Sequence, residues 1–138
     1  SADKFVTFFC GVLDAESGEY CYVNAGHNPP LHVSANLEVS QLTEGGIILG
    51  IADAKFPYSM GRTTIQHGDT IVFYTDGITE SINVQNKEFG EDRLKAEILS
   101  NLDLSALDLK THILKSVEKH SEEMNQFDDL TLIVLKRN

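Results

Sequence analysis

Three stretches of the chain are apolar on both alternations of an extended backbone: residues 5–13 (FVTFFCGVL), 71–74 (IVFY) and 130–135 (LTLIVL). Runs of this kind predict strands covered on both faces. A turn cluster at 14–19 (DAESGE) is followed by a second strand at 20–24 (YCYVN), which predicts a hairpin with Leu13 opposite Tyr20 and Cys10 opposite Val23. Shorter strands are expected at 31–33, 39–42 and 58–65. Residues 44–51 (EGGIILGI) set three glycines around an apolar centre, the composition of a flexible connection near a binding site.

The period changes after Gly77. Residues 78–84 suit one or two helical turns, and Asn86 and Lys87 suit a loop. A helix is expected over 91–99, with acids at its start and apolar residues at 94, 98 and 99. The clearest helix covers 105–120. Leu109, Ile113, Leu114 and Val117 form its buried stripe, and Ser105 is its N-cap with Asp108 three residues on. Strands early and helices late make a mixed α+β protein of mostly antiparallel strands, one domain in 138 residues or part of one.

Composition narrows the partners. The formal net charge of −10 argues against nucleic acid and against an anionic membrane surface, since both need clustered Lys and Arg. No run approaches the ~20 apolar residues of a membrane span, and the start carries no signal-peptide pattern. In the expected hairpin Cys10 and Cys21 are diagonal neighbours ~7–8 Å apart. A disulfide needs Cβ atoms ~3.5–4.5 Å apart, so both are expected as reduced core thiols, which fits a cytoplasmic location.

The candidate chemistry sits at strand ends. Asp76 follows the 71–74 strand and Asp128 precedes the 130–135 strand. Asp76-Gly77 alone is simply a strong turn signal. If the two strands are antiparallel neighbours, however, their ends coincide and the carboxylates meet. Crowded carboxylates repel unless a cation neutralises them, and oxygen-only ligands favour Mg²⁺ or Mn²⁺ over zinc. Such a cluster binds a phosphate and activates water. His27 lies in a loop (AGHNPP, 25–30) fixed by two prolines. It is open to three readings, metal ligand, phosphate contact or loop residue bonding its own backbone, and its spacing favours the last. No G-x-G-x-x-G or P-loop pattern supports a nucleotide-phosphate binder.

FVTFFCGVLD, YVNAGHNPP, GGIILGI, GDTIVFYTDGITE, FGEDRL and FDDLTLIVL occur in order across nearly the whole chain. Together they resemble the SpoIIE-like branch of the metal-dependent (PPM-type) serine/threonine protein phosphatases. The resemblance implies an α-β-β-α sandwich of two antiparallel sheets with a binuclear Mn²⁺/Mg²⁺ site at one end. It implies that Asp76 and Asp128 are metal ligands and that Asp129, where relatives often carry Asn, lies just behind them. Gly77 is expected to let the backbone turn beside the metal, and His27 and Asn28 to border the site. The implied substrate is phosphoserine or phosphothreonine on a regulatory partner such as an anti-sigma-factor antagonist. The alternative is a catalytically inactive PPM-like domain that serves as a binding module.

The family's first metal motif, of the type D-x-x-G-H-G, and the two helices that follow it are not among these residues. The chain therefore reads as the C-terminal portion of a phosphatase domain that lacks the N-terminal helix pair and the bridging aspartate. The expectation is weak or absent metal binding and no activity for this portion alone. With one sheet face left uncovered, self-association as a homodimer is also expected.

Overall fold

The computed structural model describes residues 4–51, 56–122 and 129–138. Two four-stranded sheets and three helices make up the described fold. In the first sheet β1 (Phe8–Leu13) pairs antiparallel with β2 (Glu19–Ala25). The far side of β2 is shared. β6 (Gly61–Thr64) runs antiparallel along its first half, and β5 (Gly45–Gly46) parallel along its end. The second sheet is antiparallel throughout, in the order β4 (Val39–Gln41), β3 (Leu31–Val33), β7 (Thr70–Tyr74), β8 (Leu132–Lys136).

β7 is the central strand of the molecule because its β-branched and aromatic residues feed two cores. Ile71 and Phe73 face the first sheet, where they join Tyr20, Tyr22, Ile65 and Phe9. Val72 and Tyr74 face the helices. Phe9 bridges the sheets, its ring edge-on to Phe73 at 5.6 Å and stacked on Tyr22 at 5.4 Å. On the other side α2 (Glu91–Leu99) and α3 (Ala106–His120) bury Leu94, Ile98, Leu109, Ile113 and Val117 against Leu31, Val33 and Val72. Full burial of each such side chain contributes about 1.5–3 kcal/mol. The layers are thus helices, sheet, sheet. A single-turn helix, α1 (Asp76–Thr79), follows β7.

Hairpin register, both long helices and the β7–β8 pairing agree with the expectations from sequence. Leu13 lies opposite Tyr20 and Cys10 opposite Val23. Ser105 caps α3, accepting from the Asp108 N–H at 3.1 Å.

Five expectations need correction. The 5–13 run is not a central covered strand. Only Phe8–Leu13 is strand, and it pairs with β2 alone, so Phe8 and Val12 are 51% and 71% exposed on its outer side. Cys10 and Cys21 are free thiols, but they lie toward that same outer side, exposed and half-buried, and are not core. β8 is likewise an edge strand, and its Ile133 is 56% exposed, so the uncovered surface belongs to the first sheet and the sandwich edge while β7 is covered on both faces. The 44–51 segment is not merely a flexible connection: Gly45 and Gly46 continue the first sheet, and Leu49 bridges to Val6. Of residues 78–84, only Ile78 and Thr79 are helical, as the end of α1.

Candidate active site

The end of β7 and the entry to β8 are tied together by one threonine. Thr75 N–H donates to the Thr131 carbonyl at 3.1 Å, while its Oγ1 accepts from Thr131 N–H at 3.1 Å. The same hydroxyl donates to the Asp129 carbonyl at 3.4 Å. Asp76 follows as the exposed first residue of α1. The antiparallel register Tyr74↔Leu132 therefore brings Asp76 and Asp129 to the same end of the second sheet. Asp128 lies outside the described residues.

Gly77 is required here for a reason other than the one expected. It sits inside α1 without a left-handed backbone, so it makes no special turn. A Cβ at this position would lie 2.7 Å from the Asp129 carbonyl oxygen and 3.2 Å from Leu130 Cδ2. Glycine lets α1 approach the β8 entry closely, and that approach sets the Asp76–Asp129 geometry.

The opposite wall of the site is the 26–28 loop. Gly26 has φ +75°, a conformation glycine adopts without strain. Asn24, only 5% exposed, accepts from His27 N–H through Oδ1 at 2.8 Å. Its Nδ2 donates to the His27 carbonyl at 3.0 Å and to the Leu42 carbonyl at 3.2 Å. The His27 ring donates from Nδ1 to the Asn28 carbonyl at 2.9 Å, the backbone bond that its sequence context favoured. Between this loop and Asp76 lies a pocket of about 80 Å³, lined by Thr7, Gly26, His27, Asn28, Thr75 and Asp76. That volume holds a few water-sized groups. His27, Asn28 and Asp76, three of the residues singled out in the sequence, are thus assembled in one place.

Thr7, His27 and Thr75 also belong to a second space, an apolar cleft of about 400 Å³ where the sheets part between the β1 and β8 edges. Phe8, Phe73 and Ile133 are among its walls. Tyr74 turns its hydroxyl away to donate to Glu91 at 3.2 Å. Burial, then the Glu91 charge, push its phenol far above the ordinary range.

Sequence reading missed Asn24, Thr7 and Thr75. Asn24 left a signal: it occupies an inward position of β2 after Tyr20 and Tyr22, and a polar residue in a buried slot needs partners. Thr7 left none.

Among the described residues no three His, Cys, Asp or Glu side chains converge to hold a metal. The donors that do line the pocket, a carboxylate, two threonine hydroxyls and an asparagine, suit in kind a hard divalent cation.

This arrangement of sheets and helices is the fold of a PP2C-type (PPM) phosphatase domain. The sequence pattern of the Stage II sporulation protein E (SpoIIE) family matches residues 1–138, and the chain belongs to that family. It is 30% identical to the protein IcfG of Synechocystis over 97% of its length, which is 21% of IcfG. It is 29% identical to the phosphoserine phosphatase RsbU of Bacillus subtilis over 99% of its length, 40% of RsbU. The chain spans less than half the length of either relative. Among solved structures, the RsbU and RsbW domains of a Mycobacterium tuberculosis protein match at TM-score 0.76 with 27% identity, over 95% of this chain and 36% of that one. The phosphatase domain of B. subtilis SpoIIE matches in fold, at TM-score 0.69 with 16% identity, over 96% and 56%.

Proposed function

We propose that residues 1–138 are the C-terminal portion of a single Mn²⁺- or Mg²⁺-dependent protein serine/threonine phosphatase domain, with the reacting centre at the Asp76 pocket. The observation that carries this reading is the β7–β8 register, which brings Asp76 and Asp129 to the same end of the second sheet, with Asp76 lining one pocket with His27 and Asn28. Asp76 and Asp128 hold the metal, and Asp129 stands behind them. A bound divalent cation supplies positive charge for the phosphoryl group and for the attacking water. The chain's own part is positional. Thr75 locks the two strand ends, and Gly77 lets them approach.

The substrate class is phosphoserine or phosphothreonine on a regulatory protein of the anti-sigma-factor-antagonist kind. The name of the B. subtilis relative, a phosphoserine phosphatase, supports the phosphoserine part. No helix among the described residues is long and apolar enough to cross a membrane, in keeping with the proposed cytoplasmic location. Calorimetric titration with Mn²⁺ tests the ligand assignment: this chain alone is expected to bind weakly or not at all, and the longer protein carrying it is expected to bind Mn²⁺ and to lose affinity in Asp76→Asn. Equal affinity in wild type and Asp76→Asn would overturn it.

The exposed Phe8 and Val12 on the outer side of the first sheet support a homodimer through that face. Light scattering after size-exclusion chromatography is expected to give twice the chain mass. A monodisperse monomer at tens of micromolar would refute the dimer.

A further inference from the structure

We propose that His27 is a catalytic residue, taking a hydrogen bond from the attacking water through Nε2, and that Asn24 is the positioning residue that holds it there. The inference rests on the reading of the Asp76 pocket as a hydrolytic site, and it gives His27 a role that the loop geometry alone specifies.

A backbone carbonyl can only accept a hydrogen bond, so the contact with Asn28 O at 2.9 Å places the proton of the neutral imidazole on Nδ1. Nε2 is then an acceptor, and among the described residues it has no hydrogen-bond partner. His27 lines the pocket it shares with Asp76 and Thr75, and with Nδ1 spent on the backbone, Nε2 is the ring nitrogen left for a group bound there. A phosphate monoester dianion offers only acceptor oxygens, so this tautomer does not pair with it. The reacting group that carries donors is water. An imidazole fixed in this way orients the water without competing for the phosphoryl oxygens.

Asn24 explains why the ring stays in place. Its amide grips residue 27 at both backbone groups, accepting from the N–H at 2.8 Å and donating to the carbonyl at 3.0 Å. The third bond, to Leu42 O, anchors that grip to the neighbouring segment. In Asn24→Asp the acceptor for His27 N–H survives, but a carboxylate then faces two carbonyl oxygens. The loop is expected to shift while the strand persists. A misplacement near 1 Å costs on the order of 10²-fold in rate.

Two readouts test the proposal. In the ¹⁵N-histidine-labelled chain, long-range ¹H–¹⁵N spectra are expected to show His27 with Nδ1 protonated and Nε2 bare, assigned through the signals lost in His27→Asn. Asn24→Asp is expected to blur that tautomer while circular dichroism shows a retained fold. The opposite tautomer in wild type would overturn the proposal. The second readout is turnover of a phosphoserine peptide by the longer protein carrying this chain. His27→Asn, which keeps only the Nδ1-like position, is expected to lower kcat about 10²-fold with KM and Mn²⁺ affinity little changed. His27→Gln, which restores an acceptor near the Nε2 position, is expected to recover part of that loss. Equal losses in both variants, or a raised KM with unchanged kcat, would overturn the role. Unchanged turnover in Asp76→Asn would instead remove the site reading beneath it.

Discussion

Replacing Gly77 by alanine is the smallest change that tests how the site is built. The added Cβ would meet the Asp129 carbonyl oxygen at 2.7 Å, against an ordinary contact of at least 3.4 Å, so α1 and the β8 entry must part by 0.7 Å, the difference. The obstacle is backbone, which cannot swing aside as a side-chain tip can. Strain of this kind costs about 1–3 kcal/mol. Alanine returns up to ~1 kcal/mol of helix propensity, though less in a helix of one turn. The net expectation is a loss of about 1–2 kcal/mol, or roughly 3–8 °C in Tm for a domain of this size. Urea denaturation followed by circular dichroism reads it directly, with an unchanged m-value showing that the fold is the same. The spread should also loosen the Thr75–Asp129 contact and separate Asp76 from its partners. A variant as stable as wild type, with unchanged affinity for Mn²⁺, would refute the close-approach argument.

Away from the site, Asp69→Asn is expected to cost roughly 3 kcal/mol near neutral pH, because it breaks a buried, charge-assisted cluster. Asp69 accepts from Gln66 N–H and His32 Nε2 at 2.9 Å each and from Ala35 N–H at 3.0 Å. Burial opposes its ionisation, but those hydrogen bonds outweigh it and hold its carboxyl below the ordinary value of 3.8. The folded state therefore binds this proton less readily than the unfolded one, so the contribution is complete above pH 3.8 and lost as pH falls through the depressed folded value. Urea midpoints across pH should show the gap between wild type and Asp69→Asn closing on acidification; a gap that widens would contradict the sign. Ser105→Ala removes both the bond from Asp108 N–H at 3.1 Å and the bond to Asp108 Oδ2 at 2.7 Å, and should cost about 1 kcal/mol. An unchanged urea midpoint would show that the cap contributes nothing.

What was legible in the sequence was local or rested on period. The α3 stripe, the Ser105 cap and the 10–23 hairpin register follow from spacing, and all are found. The β7–β8 meeting required only that two apolar runs pair antiparallel. Cover was not legible. Residues 5–13 and 130–135 are as apolar as 71–74, yet only the last is enclosed on both sides, because burial depends on neighbours that a strand's own composition does not name. Gly77 was found for the wrong reason: a glycine that admits a neighbouring carbonyl looks the same in sequence as one that turns the chain. Asn24 was missed because its work is done through the backbone of another residue.

The central claim is that Asp76 anchors a metal-dependent phosphatase centre. Its most direct test is Mn²⁺-dependent release of phosphate from a phosphoserine peptide by the longer protein carrying this chain, wild type against Asp76→Asn. The substitution keeps size and hydrogen-bonding shape while removing one charge from the proposed ligand set, where carboxylates without a cation repel, so the fold should be as stable as before or slightly more so. Hydrolysis should be abolished at ordinary Mn²⁺ concentrations in a variant that still melts like wild type. Wild-type turnover in Asp76→Asn would contradict the account.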